Sequence, residues 1–234
     1  MKTDFMKFKE TVKLAFIDLD NTLYPESLYL YNLIREFDSK VKINRNKNKL
    51  FDNRYLENFL NRRSKDIITE IFRIYYDRPP TFTEHEILFS FYKNLDSDLR
   101  LYEGSIELLD FLKCKNIKLI LLSNGIKEVQ LNKLRLLKIS NYLDHIEILS
   151  QKELQKPNPE SALNLVKNYG LGLDEVVIVG DDPKTDILLA KNAGVTAIRV
   201  KTGFFRNEKV NELYDKIYEF DNINNLLQGL TKIL

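Results

Sequence analysis

The sequence predicts an α/β fold in which a doubly wound parallel sheet carries an inserted α-helical unit. Beyond Asp98, short apolar runs alternate with segments of helical periodicity, the pattern of successive strand and helix units. Several of these runs are apolar at nearly every position, as expected when helices cover both faces of a parallel sheet. One more such run, 12–18, precedes them by about a hundred residues, which is far longer than an ordinary crossover connection. That interval must contain structure of its own.

The strands and helices are assigned in chain order from this alternation. Strands are predicted at 12–18, 118–122, 145–149, 176–180 and 196–200. Helices of the sheet region are predicted at 105–115, 126–137, 159–168 and 184–193. Gly170 and Gly194 lie just past two of these helices and are typical C-terminal stops.

We call residues 25–97 the helical insert, because apolar side chains recur there at helical spacing. The predicted helical stretches are 28–37, 55–76 and 83–95, with the basic run 40–49 as a loop. Aromatic side chains are frequent from Phe59 to Tyr92, and such stripes favour a packed helical core over a base-stacking surface. The predicted domains are a catalytic core of residues 1–24 and 98–234 and the insert of residues 25–97.

Composition limits the classes of partner. The 234 residues include 36 Lys and Arg against 34 Asp and Glu, a formal charge of +2, which is too balanced for a nucleic-acid-binding surface. The sequence has one cysteine and no apolar stretch as long as a signal peptide or a membrane span. We therefore expect a cytoplasmic protein, a monomer or homodimer, that binds neither a nucleic acid polymer nor a membrane.

Two acidic residues, Asp18 and Asp20, follow the first apolar run directly. Side chains alternate faces along a strand, but both acids can turn towards one site once the chain curls after Asp18. One carboxylate could then attack a substrate while the other moves a proton. Taken alone, such a pair is also compatible with a solvated turn.

Three further polar groups follow other predicted strands. Ser123, Asn124 and Gly125 come after the strand at 118–122; Lys156 follows the strand at 145–149 by a few residues. An acidic cluster follows the strand at 176–180 and consists of Asp181, Asp182 and Asp186. Active sites of open α/β sheets form at the carboxyl ends of the strands, near the point where strand order reverses. The sequence therefore predicts that these groups converge at one edge of the sheet.

As a set, these motifs resemble the phosphatase branch of the haloacid dehalogenase superfamily. The matching features are D-x-D-x-T at Asp18 to Thr22, the hydroxyl at Ser123, the lysine at Lys156 and G-D-D-x-x-x-D at Gly180 to Asp186. The resemblance covers nearly the whole chain outside the insert. It implies a Rossmann-like core and makes the insert a cap that closes over the active site, gates water and selects the substrate.

The resemblance also implies roles for the acidic residues. Asp18 is the implied nucleophile, which forms an aspartyl-phosphate and contacts the metal through its other oxygen. Asp20 is implied to protonate the leaving oxygen and then activate water, with its backbone carbonyl on the metal. Asp181 is the implied carboxylate ligand of Mg²⁺, a cation that prefers hard oxygen ligands. Asp182 would bind it directly or through water, and Asp186 would fix the surrounding shell or Lys156.

The remaining motif residues are implied to hold the phosphoryl group. The Ser123 hydroxyl and the backbone N–H groups of Asn124 and Gly125 would donate hydrogen bonds to it. Lys156 would offset its negative charge and that of the nucleophile. Thr22 is expected to order the first loop by hydrogen bonding.

These expectations combine into a Mg²⁺-dependent phosphatase acting on a small-molecule phosphate monoester, with nucleotide and sugar phosphates as the candidate substrates. A dehalogenase is disfavoured, because that chemistry needs neither the second acid nor a metal. A phosphomutase remains an alternative, since it uses the same two acids and differs in how the cap excludes water. A non-catalytic binding module on the same scaffold is the alternative from a different class.

Overall fold

The protein is described from a computed structural model that covers residues 11–41, 56–57, 60, 62–64, 66–210 and 214–232. Among these residues, six parallel strands form one sheet in the order β3-β2-β1-β4-β5-β6. The strands are β1 (Leu14–Ile17), β2 (Lys118–Asn124), β3 (His145–Leu149), β4 (Val176–Gly180), β5 (Thr196–Val200) and β6 (Ile217–Phe220). This is the strand order of a doubly wound sheet of the Rossmann type. The predicted fold class is confirmed.

Eight α-helices accompany the sheet in the described part of the chain. They are α1 (Glu26–Val41), α2 (Ile67–Tyr76), α3 (Phe82–Asn94), α4 (Ser105–Cys114), α5 (Lys127–Leu137), α6 (Glu160–Asn168), α7 (Leu188–Ala193) and α8 (Ile223–Thr231). The helix predicted at 184–193 is split, because Pro183–Ile187 forms a π-helical turn before α7 begins. Gly194 ends α7 in the left-handed conformation, with a φ of +74°, in which glycine has no steric penalty.

Both faces of the sheet are covered by helices, so the strands divide their side chains between two apolar layers. Ala15 and Ile17 of β1 pack in one layer, which also contains side chains of α4, α5 and α8. Leu14 and Phe16 pack in the other, with side chains of α6 and α7. All four side chains of β1 are 0 or 1% exposed. The near-continuous apolar strands of the sequence thus reflect burial on both sides.

The helices of the insert enclose a third apolar layer. Phe37 of α1 makes edge-to-face contacts with Phe72 and Tyr76 of α2 and with Phe91 of α3. These rings pack in a cluster separate from the two layers that flank the sheet. The aromatic residues of the insert that pack in this layer include Phe72, Tyr75, Tyr76, Phe89, Phe91 and Tyr92. Phe82 is 82% exposed, and Phe59 lies outside the described residues. The domain boundaries at 24/25 and 97/98 stay a prediction.

Parts of the chain differ from the sequence-based assignment. The strand predicted at 118–122 extends to Asn124, and β6 with α8 was not predicted at all. The four residues of β6 are intermediate or exposed, so the strand lacks the apolar signal of the central strands. Within the stretch 55–76, Leu56 and Glu57 are helical, Arg62 and Arg63 lie in a turn, and α2 begins at Ile67. Most of the predicted loop 40–49 lies outside the described residues, and α1 continues through Val41.

No helix among the described residues is both long enough and apolar enough to span a membrane.

Candidate active site

A polar cleft lies at the carboxyl ends of β1, β2 and β4, where the chain changes from one side of β1 to the other. Its volume is about 450 Å³, within the range of small-molecule sites. Six carboxylates and three cations line it together with neutral groups. The carboxylates belong to Asp18, Asp20, Glu26, Asp181, Asp182 and Asp186, and the cations to Arg62, Arg63 and Lys156.

Asp18 follows β1 directly and is held at both of its carboxylate oxygens. Lys156 Nζ lies 2.5 Å from Asp18 Oδ1, and Thr22 Oγ1 donates to Asp18 Oδ2 at 3.2 Å. Lys156 Nζ also donates to Asp186 Oδ1 at 2.7 Å. Burial, opposed by the charge of Lys156 and assisted by the carboxylates of Asp186 and Asp20, raises the pKa of Asp18 to about 7. A cation placed beside Asp18 would favour the carboxylate form.

Asp18, Asp181 and Asp186 form a compact acidic cluster. One oxygen of each lies within 4.8 Å of the other two, and all three residues are buried. Asp181 Oδ2 is buried without a hydrogen-bond partner among the described residues. Burial and the neighbouring carboxylates raise the pKa of Asp181 well above its ordinary value. Oxygen ligands with surplus negative charge in a buried pocket suit a hard divalent cation such as Mg²⁺.

Asp182 faces a different partner from its neighbour Asp181. Both of its carboxylate oxygens accept hydrogen bonds from Arg63 of the insert, at 2.6 and 2.7 Å. Although burial opposes the change, the Arg63 guanidinium lowers the pKa of Asp182. Arg63 also bonds to Glu208 at 3.0 Å and lies over the Phe205 ring. The Asp182 side chain therefore connects the core to the insert.

Asp20 is surrounded by hydrogen-bond donors. Lys133 Nζ and the Tyr24 hydroxyl donate to its Oδ1 at 2.7 and 2.6 Å, and Gln130 Nε2 donates to its Oδ2 at 2.8 Å. Burial alone would raise the pKa of Asp20, but the charge of Lys133 and these hydrogen bonds lower it. Asp20 is thus held as a carboxylate at the cleft wall.

The residues that follow Asn124 differ in part from the predicted anion site. Ser123 and Asn124 are the last residues of β2, and α5 begins only at Lys127. The Gly125 N–H donates to Leu149 O at 3.3 Å. The Asn124 side chain bonds to the backbone of Lys156, donating to its carbonyl at 3.1 Å and accepting from its N–H at 2.8 Å. Asn124 therefore fixes the loop that presents the lysine, while Ser123 lines the cleft.

The structure thus brings together every motif residue singled out from the sequence and adds others. Gln130 and Lys133 of α5 are 2 and 1% exposed. Helical periodicity in the sequence places both on the apolar face of this helix, where polar residues are unusual, so the sequence could have indicated them. Val129 and Leu134, their buried neighbours, mark that face. Arg62 and Arg63 lie in a turn of the insert, so helical periodicity in the sequence does not single them out as residues of the cleft.

Comparison with known proteins yields one family and several relatives. Residues 15–200 match the haloacid dehalogenase-like hydrolase family. The chain is similar to a pyrophosphatase from Halalkalibacterium halodurans (32% identity over 126 residues, 54% of this chain and 58% of the relative). It is also similar to a glyceraldehyde 3-phosphate phosphatase from Methanocaldococcus jannaschii (30% over 129 residues, 55% of this chain and 56% of the relative). The chain spans little more than half the length of these two curated relatives.

A solved structure shares the fold over almost the whole chain. It is the crystal structure of a predicted phosphoglycolate phosphatase from Haemophilus somnus, with 21% identity and a TM-score of 0.70. The alignment covers 93% of this chain and 97% of that one.

Proposed function

The chain belongs to the haloacid dehalogenase-like hydrolase family, and from this premise we propose that it is a Mg²⁺-dependent phosphatase. Its substrate is a small phosphate monoester, hydrolysed through an aspartyl-phosphate intermediate. The observation that supports this most directly is the position of Asp18, which is held by Lys156 and Thr22 in a cleft that is also lined by the acidic cluster.

Asp18 performs the first chemical step in this proposal. One of its carboxylate oxygens forms a bond to phosphorus while the bond from phosphorus to the ester oxygen breaks. The leaving oxygen takes a proton from Asp20 and departs as an alcohol. The two acids are suited to different tasks, because Asp18 is held by Lys156 and Thr22 whereas Asp20 is held by donors from α5 and Tyr24.

Asp20 also serves the second step, in which water hydrolyses the aspartyl-phosphate. Its lowered pKa keeps it as a carboxylate, the form that accepts a proton from the attacking water. A phosphate dianion entering the cleft adds negative charge nearby and raises the pKa of Asp20. That change favours the protonated form needed for the first step.

Six carboxylates face a substrate that is itself an anion, so the cleft needs additional positive charge. Asp18, Asp181 and the backbone carbonyl of Asp20 would hold Mg²⁺, with Asp186 beside them on Lys156. The clustered oxygens of Asp18, Asp181 and Asp186 and the unpartnered Oδ2 of Asp181 support this assignment. When bound, the cation neutralises charge on the phosphoryl oxygens and so reduces their repulsion of the nucleophile. Lys156 contributes the protein's own cation at the same place, and Ser123 offers a hydroxyl to the phosphoryl group.

Hydrolysis of a panel of phosphate esters tests this proposal. Aryl, alkyl, sugar and nucleoside monophosphates and inorganic pyrophosphate are incubated with the protein and Mg²⁺, and released phosphate is measured. We expect phosphate release from some monoesters. Transfer of the phosphoryl group to a second hydroxyl without phosphate release would instead indicate a phosphomutase. Folded protein that releases and transfers none would contradict an enzymatic role and favour a binding module.

Gly180 lies so close to Asp186 that a methyl group cannot be added without movement. A Cβ at Gly180 would lie 2.3 Å from Asp186 Cγ, so Asp186 and its bond to Lys156 must shift. We expect Gly180→Ala to reduce kcat/KM by about 10²-fold, the effect of misplacing a catalytic group by roughly 1 Å. The measurement is steady-state phosphate release.

Gly170→Ala provides a matched control at a site remote from the cleft. Nothing lies within 4 Å of the added methyl, but the φ of +67° is unfavourable for alanine. This control should lower the free energy of unfolding by about 1 kcal/mol with phosphate release unchanged. If Gly180→Ala retained full activity, the Asp186 and Lys156 pair would not be needed for the reaction.

A further inference from the structure

Lys133 and Gln130 contact Asp20 from behind the cleft wall. They lie one turn apart on α5, and neither lines the cleft. Lys133 bonds to Asp20 Oδ1 and Gln130 to Asp20 Oδ2, so each carboxylate oxygen has a donor from the same helix. Any effect that these side chains have on substrate must therefore pass through another residue.

Lys133 lies near two carboxylates but forms a hydrogen bond with only one of them, that of Asp20. Its Nζ lies 2.7 Å from Asp20 Oδ1 and 4.0 Å from Glu26 Oε1. Glu26 is already bound at Oε2 by Arg62 Nε at 2.6 Å and by Asn21 Nδ2 at 3.3 Å. Because Glu26 has these donors, Lys133 stays with Asp20. The lysine is 1% exposed, and a buried cation held at one acid fixes that acid's position.

Gln130 connects the same acid to the predicted phosphate-binding hydroxyl. Its Nε2 lies 2.8 Å from Asp20 Oδ2, 2.7 Å from Ser123 Oγ and 3.1 Å from Asn124 O. The residue is 2% exposed. One amide group thus sets the distance between Asp20 and Ser123, which come from different strand ends.

We propose that Lys133 and Gln130 are positioning residues that hold the Asp20 carboxylate at the place where the leaving oxygen departs. This inference rests on the proposed phosphatase function. If these side chains act only through Asp20, substituting them should slow the reaction most for leaving groups that must receive a proton as they depart. Alkyl esters, whose alkoxides are strong bases, need that proton, whereas 4-nitrophenyl phosphate departs as a weak base and needs it little.

The test compares alkyl phosphates with 4-nitrophenyl phosphate in Lys133→Met, Lys133→Arg and Gln130→Leu. The quantity compared is kcat/KM, which covers the steps up to loss of the leaving group. For Lys133→Met we expect a fall of about 10²-fold with alkyl esters and a few-fold at most with 4-nitrophenyl phosphate. Lys133→Arg keeps the cation and should recover part of the alkyl-ester rate.

Gln130→Leu leaves no charge unpaired, so it answers the question even if Lys133→Met does not fold. It should show the same preference for the better leaving group, together with a higher KM because Ser123 also loses its donor. Lys191→Met, at an exposed lysine of α7, is the control and should behave as wild type. Folding of each variant is checked by thermal denaturation.

The outcomes separate this inference from the proposed function. Selective loss of alkyl-ester hydrolysis in folded variants supports positioning of Asp20. Equal loss with both ester classes, or no loss, overturns it while leaving the phosphatase function intact. If the wild-type protein hydrolyses no ester of either class, the proposed function fails and this inference with it.

Discussion

Asp18→Asn should lower phosphate release by about 10⁴-fold or more, the scale of losing a catalytic nucleophile, while the fold remains intact. The amide has the same shape as the carboxylate but cannot form the bond to phosphorus. Lys156 keeps its second partner, Asp186, at 2.7 Å, so the loop that carries it should not move. The measurement is phosphate release under single-turnover and steady-state conditions, with circular dichroism as the check on folding.

A covalent intermediate gives this prediction a second readout. Wild-type protein quenched during turnover should carry the added mass of one phosphoryl group on the peptide that contains Asp18, and the variant should not. Asp96→Asn, at a residue whose side chain is 84% exposed, is the matched control and should retain activity and labelling. Normal turnover by Asp18→Asn, or labelling at another residue, would show that the nucleophile has been assigned wrongly.

The sequence was most informative where strands end. A parallel strand buried on both faces is apolar throughout, so the polar residue that follows it is conspicuous. Asp18 and Asp181 stand out in this way, because β1 and β4 are buried throughout. Lys156 is less conspicuous, since it lies several residues beyond β3, an edge strand whose side chains are mostly half-buried. Ser123 was found by the same reasoning, although it lies within β2 rather than in the loop after it.

What the sequence did not reveal depends on contacts between distant segments. Lys133 and Asp20 are 113 residues apart, and helical periodicity shows only that the lysine lies on an otherwise apolar face. Arg63 meets Asp182 across 119 residues, from a turn without a regular pattern. The edge strand β6 is half-exposed and short, so its composition does not distinguish it from a loop. Long-range pairing, rather than local propensity, determines these features.

Removal of divalent cations with EDTA should reduce phosphate release by at least about 10³-fold, because neutralising the phosphoryl oxygens contributes several kcal/mol. Added Mg²⁺ should restore phosphate release. Binding should also be visible without turnover, because a cation that binds only the folded protein, present at a concentration of 100 times its Kd, raises the free energy of unfolding by about 2.7 kcal/mol. Full activity in metal-free protein would exclude this mechanism.

The pH dependence of unfolding should reveal the same site. In the metal-free protein, burial raises the pKa of Asp18 from 3.8 to about 7. Between these values the folded protein holds a proton that the unfolded chain has released, so stability should fall as the pH rises through this window. Mg²⁺ requires deprotonated ligands and should therefore stabilise the protein more at about pH 8 than at about pH 5. The measurement is urea denaturation at both pH values with and without Mg²⁺.

Asp181→Asn should remove most of the stabilisation by Mg²⁺, whereas the control Asp96→Asn should keep it. Unchanged stabilisation in Asp181→Asn would place the cation elsewhere.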